Sequence, residues 1–311
     1  MSTQKSERNS DNFIMLPTVD FCFKELMQNP KVRKGFIAAI LGKAPEMIRR
    51  TTLLPTALPK ESEEDKLGIL DVLVELEDGS KMNMEMQVSY FDCWKNRVLF
   101  YLGKVYTGQI KEGEDYDKLR KCIHVSILDF VHFPMDKKCF RKIVFCDSES
   151  GEQYTDLMEL HILELKKLPP EDQSEDGIIR WMRFLRGKSR KEFEEMAKKD
   201  EYIEEAYNEL KKLSLDEQKR LEYELRQKAV RDHNMMMKSA EKRGLEIGEK
   251  RDLEIGEKRG EKRGIEIGKK QGERIALKRI VENQMKAGKT AEETAELLGL
   301  DPQEVKELTE E

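Results

Sequence analysis

The sequence predicts a mixed α/β domain, with helices packed on a sheet, followed by an extended all-helical region. Three observations predict it. Helix-like and strand-like segments follow the order helix, helix, strand, strand, helix, strands across the first half. One segment, 81–89, alternates polar and apolar residues without a break, the signature of a strand with two different faces. Beyond about residue 165 the apolar runs give way to charged helix formers.

The elements read as follows. Residues 1–17 are polar and end in Pro17, which suggests a disordered arm. Residues 20–27 form a short amphipathic helix, and Pro30 marks the break before a second helix that runs to about residue 41. The stretch 51–58, TTLLPTAL, is β-prone, and 59–66 is a charged loop. Two strand patterns, 69–76 and 81–89, flank Asp78-Gly79, and a long helix occupies 91–111. Three more β-prone runs lie at 122–130, 140–146 and 157–165. The expected division is an arm over 1–17, an α/β domain over 18–170, a helical region over 171–240, a repetitive helical spacer over 241–280 and a two-helix unit over 281–311.

Composition narrows the function classes. Of 311 residues, 38% are charged and 38% are apolar, and the net charge is −5. A protein that coats nucleic acid by bulk attraction is basic, so a nucleic-acid partner has to be met through a local patch or metal ions. The five cysteines are odd in number and have no C-x-x-C spacing, which fits reduced thiols in a cytoplasm and disfavours a zinc ribbon or disulfide framework. The start, MSTQKSERNSDNF, has no apolar core of a secretory signal, and no run is long and apolar enough to predict a membrane span.

The hairpin carries the chemistry. Met82, Met84, Met86 and Val88 share one face; Lys81, Asn83, Glu85, Gln87 and Ser89 share the other. On the preceding strand Leu70, Val72, Val74 and Leu76 share a face, opposite Ile69, Asp71, Leu73 and Glu75. Both apolar sets must lie on one side of the sheet, because a slip of one residue flips a whole strand. Paired numbers therefore sum to an even value. A two-residue loop at Asp78-Gly79 gives an odd sum. A three-residue loop, Glu77-Asp78-Gly79, with Gly79 left-handed in a G1 bulge, gives an even one. Leu76 then meets Ser80, and Asp71 falls opposite Glu85, with Gln87 next on the same face. Two carboxylates about 5 Å apart at the Cβ level repel unless a cation lies between them. Oxygen donors of this type suit Mg²⁺ or Mn²⁺, which can polarise a phosphoryl oxygen and acidify a bound water.

Several segments carry a family resemblance in the right order: TVDFCFKELM, GILDVLVEL, MNMEMQV, NRVLFYLGKVYTGQIKEGEDYDKL, IHVSILDF and LHILELKKL. Over about 15–165 the chain resembles the Rpn family of recombination-promoting nucleases, also called PD-(D/E)XK nuclease family transposases. The resemblance implies a restriction-endonuclease-like core and Mg²⁺-dependent DNA cleavage, in bacterial recombination, mobile DNA or phage defence. It implies that Asp71 and Glu85 hold the metal. Gln87 stands where the wider superfamily has Lys, so that positive charge is lost unless another cation moves in; Lys24 and Lys66 are the candidates. This E-x-Q departure keeps open a second reading, a regulatory DNA-binding protein with a weakened site that acts through its helical tail. Asp20 matches the family's early Asp-Phe motif, with N-capping of the first helix as the alternative. Arg97 is expected to meet either a phosphate or an acidic residue. Tyr101 and Tyr106 read as packing residues, and His124 and His161 as strand residues with no role.

In 242–272 glycine recurs every four residues at 244, 248, 256, 260, 264, 268 and 272, with Asp252 in the gap. The pairs Glu246/Lys250, Glu254/Lys258 and Glu266/Lys270 favour a helix, while each interior glycine costs roughly 1 kcal/mol against alanine. The segment reads as a soft helical spacer or as a self-association helix giving a homo-oligomer. In 287–311 Thr290 is placed to cap one helix, Gly299 to end it, and Asp301-Pro302 to start another. Residues 281–311 hold nine acidic and three basic residues, which disfavours phosphate contact and suggests docking or dimerisation.

Overall fold

The computed structural model describes residues 13–58, 64, 66–171 and 176–310. Most of the arm and of the charged loop at 59–66 therefore lies outside the described residues. The last residues of the expected arm are packed: Met15 is fully buried and its N–H donates to Ser214 Oγ at 2.9 Å.

The first helices begin and end where side-chain chemistry dictates. Helix α1 spans Asp20–Gln28 and α2 spans Pro30–Leu41. The Asn29 side chain accepts from the N–H groups of Lys31 and Val32, Pro30 occupies the first helical turn, and Gly42 closes α2 in the left-handed region at φ 62°.

The sheet has six strands in the order β1-β2-β3-β4-β6-β5. These are β1 (Thr51–Leu54), β2 (Val72–Leu76), β3 (Lys81–Gln87), β4 (Cys122–Leu128), β5 (Phe140–Cys146) and β6 (Gln153–Glu164). The first three are antiparallel; β3, β4 and β6 run parallel; β5 is antiparallel at the far edge. The parallel step from β3 to β4 needs a crossover, which helix α3 (Trp94–Thr107) supplies.

The hairpin register is the expected one. Val72 pairs with Met84 and Glu75 with Lys81, and Leu76 N–H donates to Ser80 O at 2.8 Å. Gly79 has φ +82° and donates to Leu76 O, so the turn is Glu77-Asp78-Gly79. Regular pairing in β2 starts at Val72; Ile69 instead bridges Ala57, and Asp71 sits just before the strand.

Both faces of the sheet are covered. Val72, Val74, Met82, Met84 and Met86 join Ile123, Val125 and Ile127 in a core with α1, α2 and later helices. On the other face Tyr101, Leu102 and Val105 of α3 pack on Leu73 and Cys122, and Trp94 and Val98 pack on Leu128 and Ile162. The polar face of β3 is therefore not a solvent face: Asn83 and Glu85 are buried.

Helices α4 (Gly177–Arg186), α5 (Arg190–Ala197), α6 (Glu201–Leu215) and α7 (Glu217–Lys286) follow. The boundary expected near residue 170 does not separate two units. Trp181, Phe184, Phe193, Ile203, Leu210 and Tyr223 lie in the same core as the sheet, and the first compact unit runs to Arg231. The composition shift reflects amphipathic helices that give one face to that core.

The second unit, 232–311, continues as helix through every glycine of the repeat. Among its expected ion pairs, Glu266–Lys270 forms at 3.4 Å, whereas Glu246/Lys250 and Glu254/Lys258 are not within ion-pair distance among the described residues. Helix α8 (Ala291–Leu298) starts and stops as expected, and α9 (Pro302–Glu310) starts as expected. Thr290 and Glu293 make a capping box, Gly299 is left-handed, and Asp301 Oδ1 accepts from Gln303 N–H at 2.7 Å. Val281, Ala295, Val305 and Leu308 form the small core of this unit. No described helix is long and apolar enough to cross a membrane.

Candidate active site

The site is assembled at the end of the hairpin. Asp71 N–H donates to Glu85 Oε1 at 3.1 Å, and Met86 N–H donates back to Asp71 Oδ2 at 3.0 Å. Each carboxylate thus accepts a hydrogen bond from a backbone N–H of the opposite segment, which fixes both heads side by side. The glycine turn sets this register; the apolar faces of β2 and β3 enforce it.

Burial and charge then act on Glu85. It is only 3% exposed, and burial, reinforced by the negative charge of Asp71, pushes its carboxyl up to about 7. The Asp71 N–H and the Arg97 guanidinium oppose the rise. Arg97 extends from α3 to within 3.4 Å of Glu85 Oε2 and lies over the rings of Phe91 and Tyr101. Of the two expectations for Arg97, the pairing with an acidic residue is the one formed here.

Lys24 completes the cluster. Its Nζ lies 2.9 Å from Asp71 Oδ1 and 3.8 Å from Asp20 Oδ2. Asp20 does not cap α1: Val19 holds the N-cap position, there is no side-chain cap bond, and Asp20 reaches along the helix to Lys24 instead. Lys66 is exposed and is not among the groups that reach the carboxylates. Gln87 ends β3 on the Glu85 face, half-buried, with its carbonyl accepting from Asp129 N–H at 2.9 Å. Lys24 and Asp20, each 31% exposed, give the carboxylates a route to solvent.

The face under α3 holds polar residues that the sequence pattern did not connect to the site. Asn83 Nδ2 lies 3.0 Å from His124 Nδ1, and His124 Nε2 lies 3.0 Å from Ser126 Oγ. Ser126 pairs with Glu85 across the β3–β4 ladder, and the nearby Asn83 amide also opposes the rise in the Glu85 pKa. Burial, with help from the Arg97 charge, pushes His124 down to about 3, so its ring is neutral. Asn83 Nδ2 can only donate, so His124 Nδ1 accepts and Nε2–H donates to Ser126. Matching polar positions on adjacent strands were the available signal: 83 and 85 on one, 124 and 126 on the other.

Hard oxygen donors define what the pair can bind. Two adjacent carboxylates, one of them buried with a raised pKa, lose their mutual repulsion when a divalent cation binds between them, so the donor set fits such an ion. Among the described residues no group of three or more His, Cys, Asp or Glu side chains forms a larger metal cluster.

A mixed sheet between helices, with an Asp and an E-x-Q motif joined at the end of its central hairpin, defines a PD-(D/E)XK nuclease-type domain. The chain belongs to the PD-(D/E)XK nuclease family transposases, whose family model matches residues 17–240. Membership implies nuclease- or transposase-like function on DNA, and such nucleases usually use divalent metal ions. Searches of curated proteins and of solved structures gave no match.

Proposed function

We propose that this protein is a DNA endonuclease dependent on Mg²⁺ or Mn²⁺, with Asp71 and Glu85 as the metal-holding carboxylates. The observation that carries the reading is the pair of backbone hydrogen bonds that ties the two carboxylates together, Asp71 N–H to Glu85 Oε1 and Met86 N–H to Asp71 Oδ2, with Lys24 against Asp71. A divalent ion bound there would supply Lewis-acid polarisation of the scissile phosphate and a more acidic water. The protein's own groups do the rest. Lys24 supplies beside Asp71 the positive charge that the motif lacks at Gln87. Gln87, which can donate and accept, orients the attacking water or a phosphate oxygen. Arg97 holds Glu85 and offers a second cation to the phosphate, and Asp20 holds Lys24 in place.

Supercoiled plasmid incubated with the full chain tests this. Wild type should nick it with Mg²⁺ or Mn²⁺ and stop in EDTA. Asp71→Asn and Glu85→Gln should each abolish nicking while leaving the fold intact by circular dichroism. Equal nicking by wild type and both variants would sink the reading.

A further inference from the structure

We propose that Tyr90, just past the end of the strand that carries Glu85 and Gln87, is a stacking platform for an unpaired nucleobase of the DNA; this rests on the nuclease reading and specifies its substrate. Tyr90 follows Gln87 by three residues, so its Cα is within about 11 Å of that of Gln87. Tyr90 is 55% exposed, and its ring also packs on two neighbours. It meets buried Phe130 edge-on, with centroids 5.6 Å apart, and lies near-parallel to His132 at 6.2 Å. His132 is itself wedged between Trp94 at 4.4 Å and Phe133 at 4.7 Å.

The loop beneath is clamped as well. The N–H groups of His132 and Phe133 donate to the fully buried carboxylate of Glu164, at 2.6 and 3.0 Å. Lys167 Nζ pairs with the other oxygen of Glu164 at 2.8 Å. A water-exposed aromatic that already packs on an anchored loop loses less entropy when a flat partner covers it than a free one does. Tyr116 and Tyr154, also exposed, make no ring contact among the described residues.

Charge selects the partner. Arg97 and exposed Lys95 lie on α3 just beyond Tyr90, and Lys24 stands at the carboxylates. Cations that attract phosphate beside a fixed π-face are what a single strand requires. In an intact duplex the faces of the bases are stacked on one another, so Tyr90 selects DNA with an unpaired nucleotide at the cleavage position: a single strand, a frayed end or a flap.

Fluorescence anisotropy of the full chain in EDTA tests binding without cleavage, using a labelled 20-nucleotide oligothymidylate and a labelled 20-base-pair duplex. Tyr90→Ala should weaken single-strand binding about tenfold, the usual loss for one stacked base, with duplex binding unchanged. Tyr90→Phe should keep wild-type affinity, as should Tyr154→Ala. An unchanged Tyr90→Ala, an equal loss on duplex, or an equal loss in Tyr90→Phe would overturn the proposal. A failed plasmid assay with intact Tyr90-dependent binding would instead remove the nuclease reading alone.

Discussion

Lys24 Nζ lies 2.9 Å from Asp71 Oδ1, so an N-terminal helix delivers a cation to the first carboxylate of the hairpin. If this charge stands in for the one missing at Gln87, Lys24→Met should lower the plasmid-nicking rate about a hundredfold, the scale of losing one preorganised charge. Lys24→Arg should keep much of the rate. Adding Gln87→Lys to Lys24→Met should restore part of it. Wild-type nicking by Lys24→Met would remove Lys24 from the chemistry.

Glu85 should make metal affinity depend on pH. Its carboxyl titrates near 7, and a cation must displace that proton. Mg²⁺ affinity measured by calorimetry should rise as pH rises to about 7 and level off above it. A flat profile from pH 6 to 8 would contradict the buried, proton-competing carboxylate.

The same residue should make the metal-free protein less stable at high pH. A raised folded pKa means that the folded state holds the proton over the window from 4.5 to about 7 and gives up stability as pH rises through it. Glu85→Gln should therefore be more stable than wild type at pH 8, by roughly 3 kcal/mol, and no more stable at pH 4. Denaturant melts at the two values read this directly.

His124 acts in the opposite sense. Its folded pKa is depressed to about 3, so its contribution is present above the unfolded value of 6.5 and is lost as pH falls towards 3. His124→Phe should leave Asn83 without its partner and cost about 2 kcal/mol at pH 7. Its stability should also fall less steeply with acid than that of wild type. Parallel acid profiles would show that His124 is not held neutral.

In the repeat, a Cβ added at Gly248, Gly256 or Gly264 meets nothing within 4 Å. Alanine at these three positions should raise helix content on heating, with a gain of about 1 kcal/mol per site. A loss of helicity or of assembly would show that another chain approaches these glycines closely.

The sequence carried the hairpin because its rule is local. Period-2 alternation and one left-handed glycine leave a single even register, and Asp71 opposite Glu85 follows. Asn83, His124 and Ser126 escaped for a physical reason. Polar residues that satisfy one another under a helix have the same hydropathy as polar residues facing water. Lys24 and Arg97 reach the carboxylates through helix packing, which no strand pattern encodes. The helices from Gly177 onward looked like a separate region because their outer faces dominate the composition, although Trp181 and Phe184 complete the first core.

Gly79 does more than close a loop. It lies at the opposite end of the hairpin from Asp71 and Glu85, with φ +82° and the Arg120 side chain 3.1 Å from where a Cβ would stand. Removing one residue from Glu77-Asp78-Gly79 would turn Asp71 to the other side of the sheet while leaving both carboxylates in the chain. A lesion that takes the carboxylate pair apart can therefore fall in a surface turn that touches neither residue. A count of intact motif residues would mistake such a chain for one with an intact site.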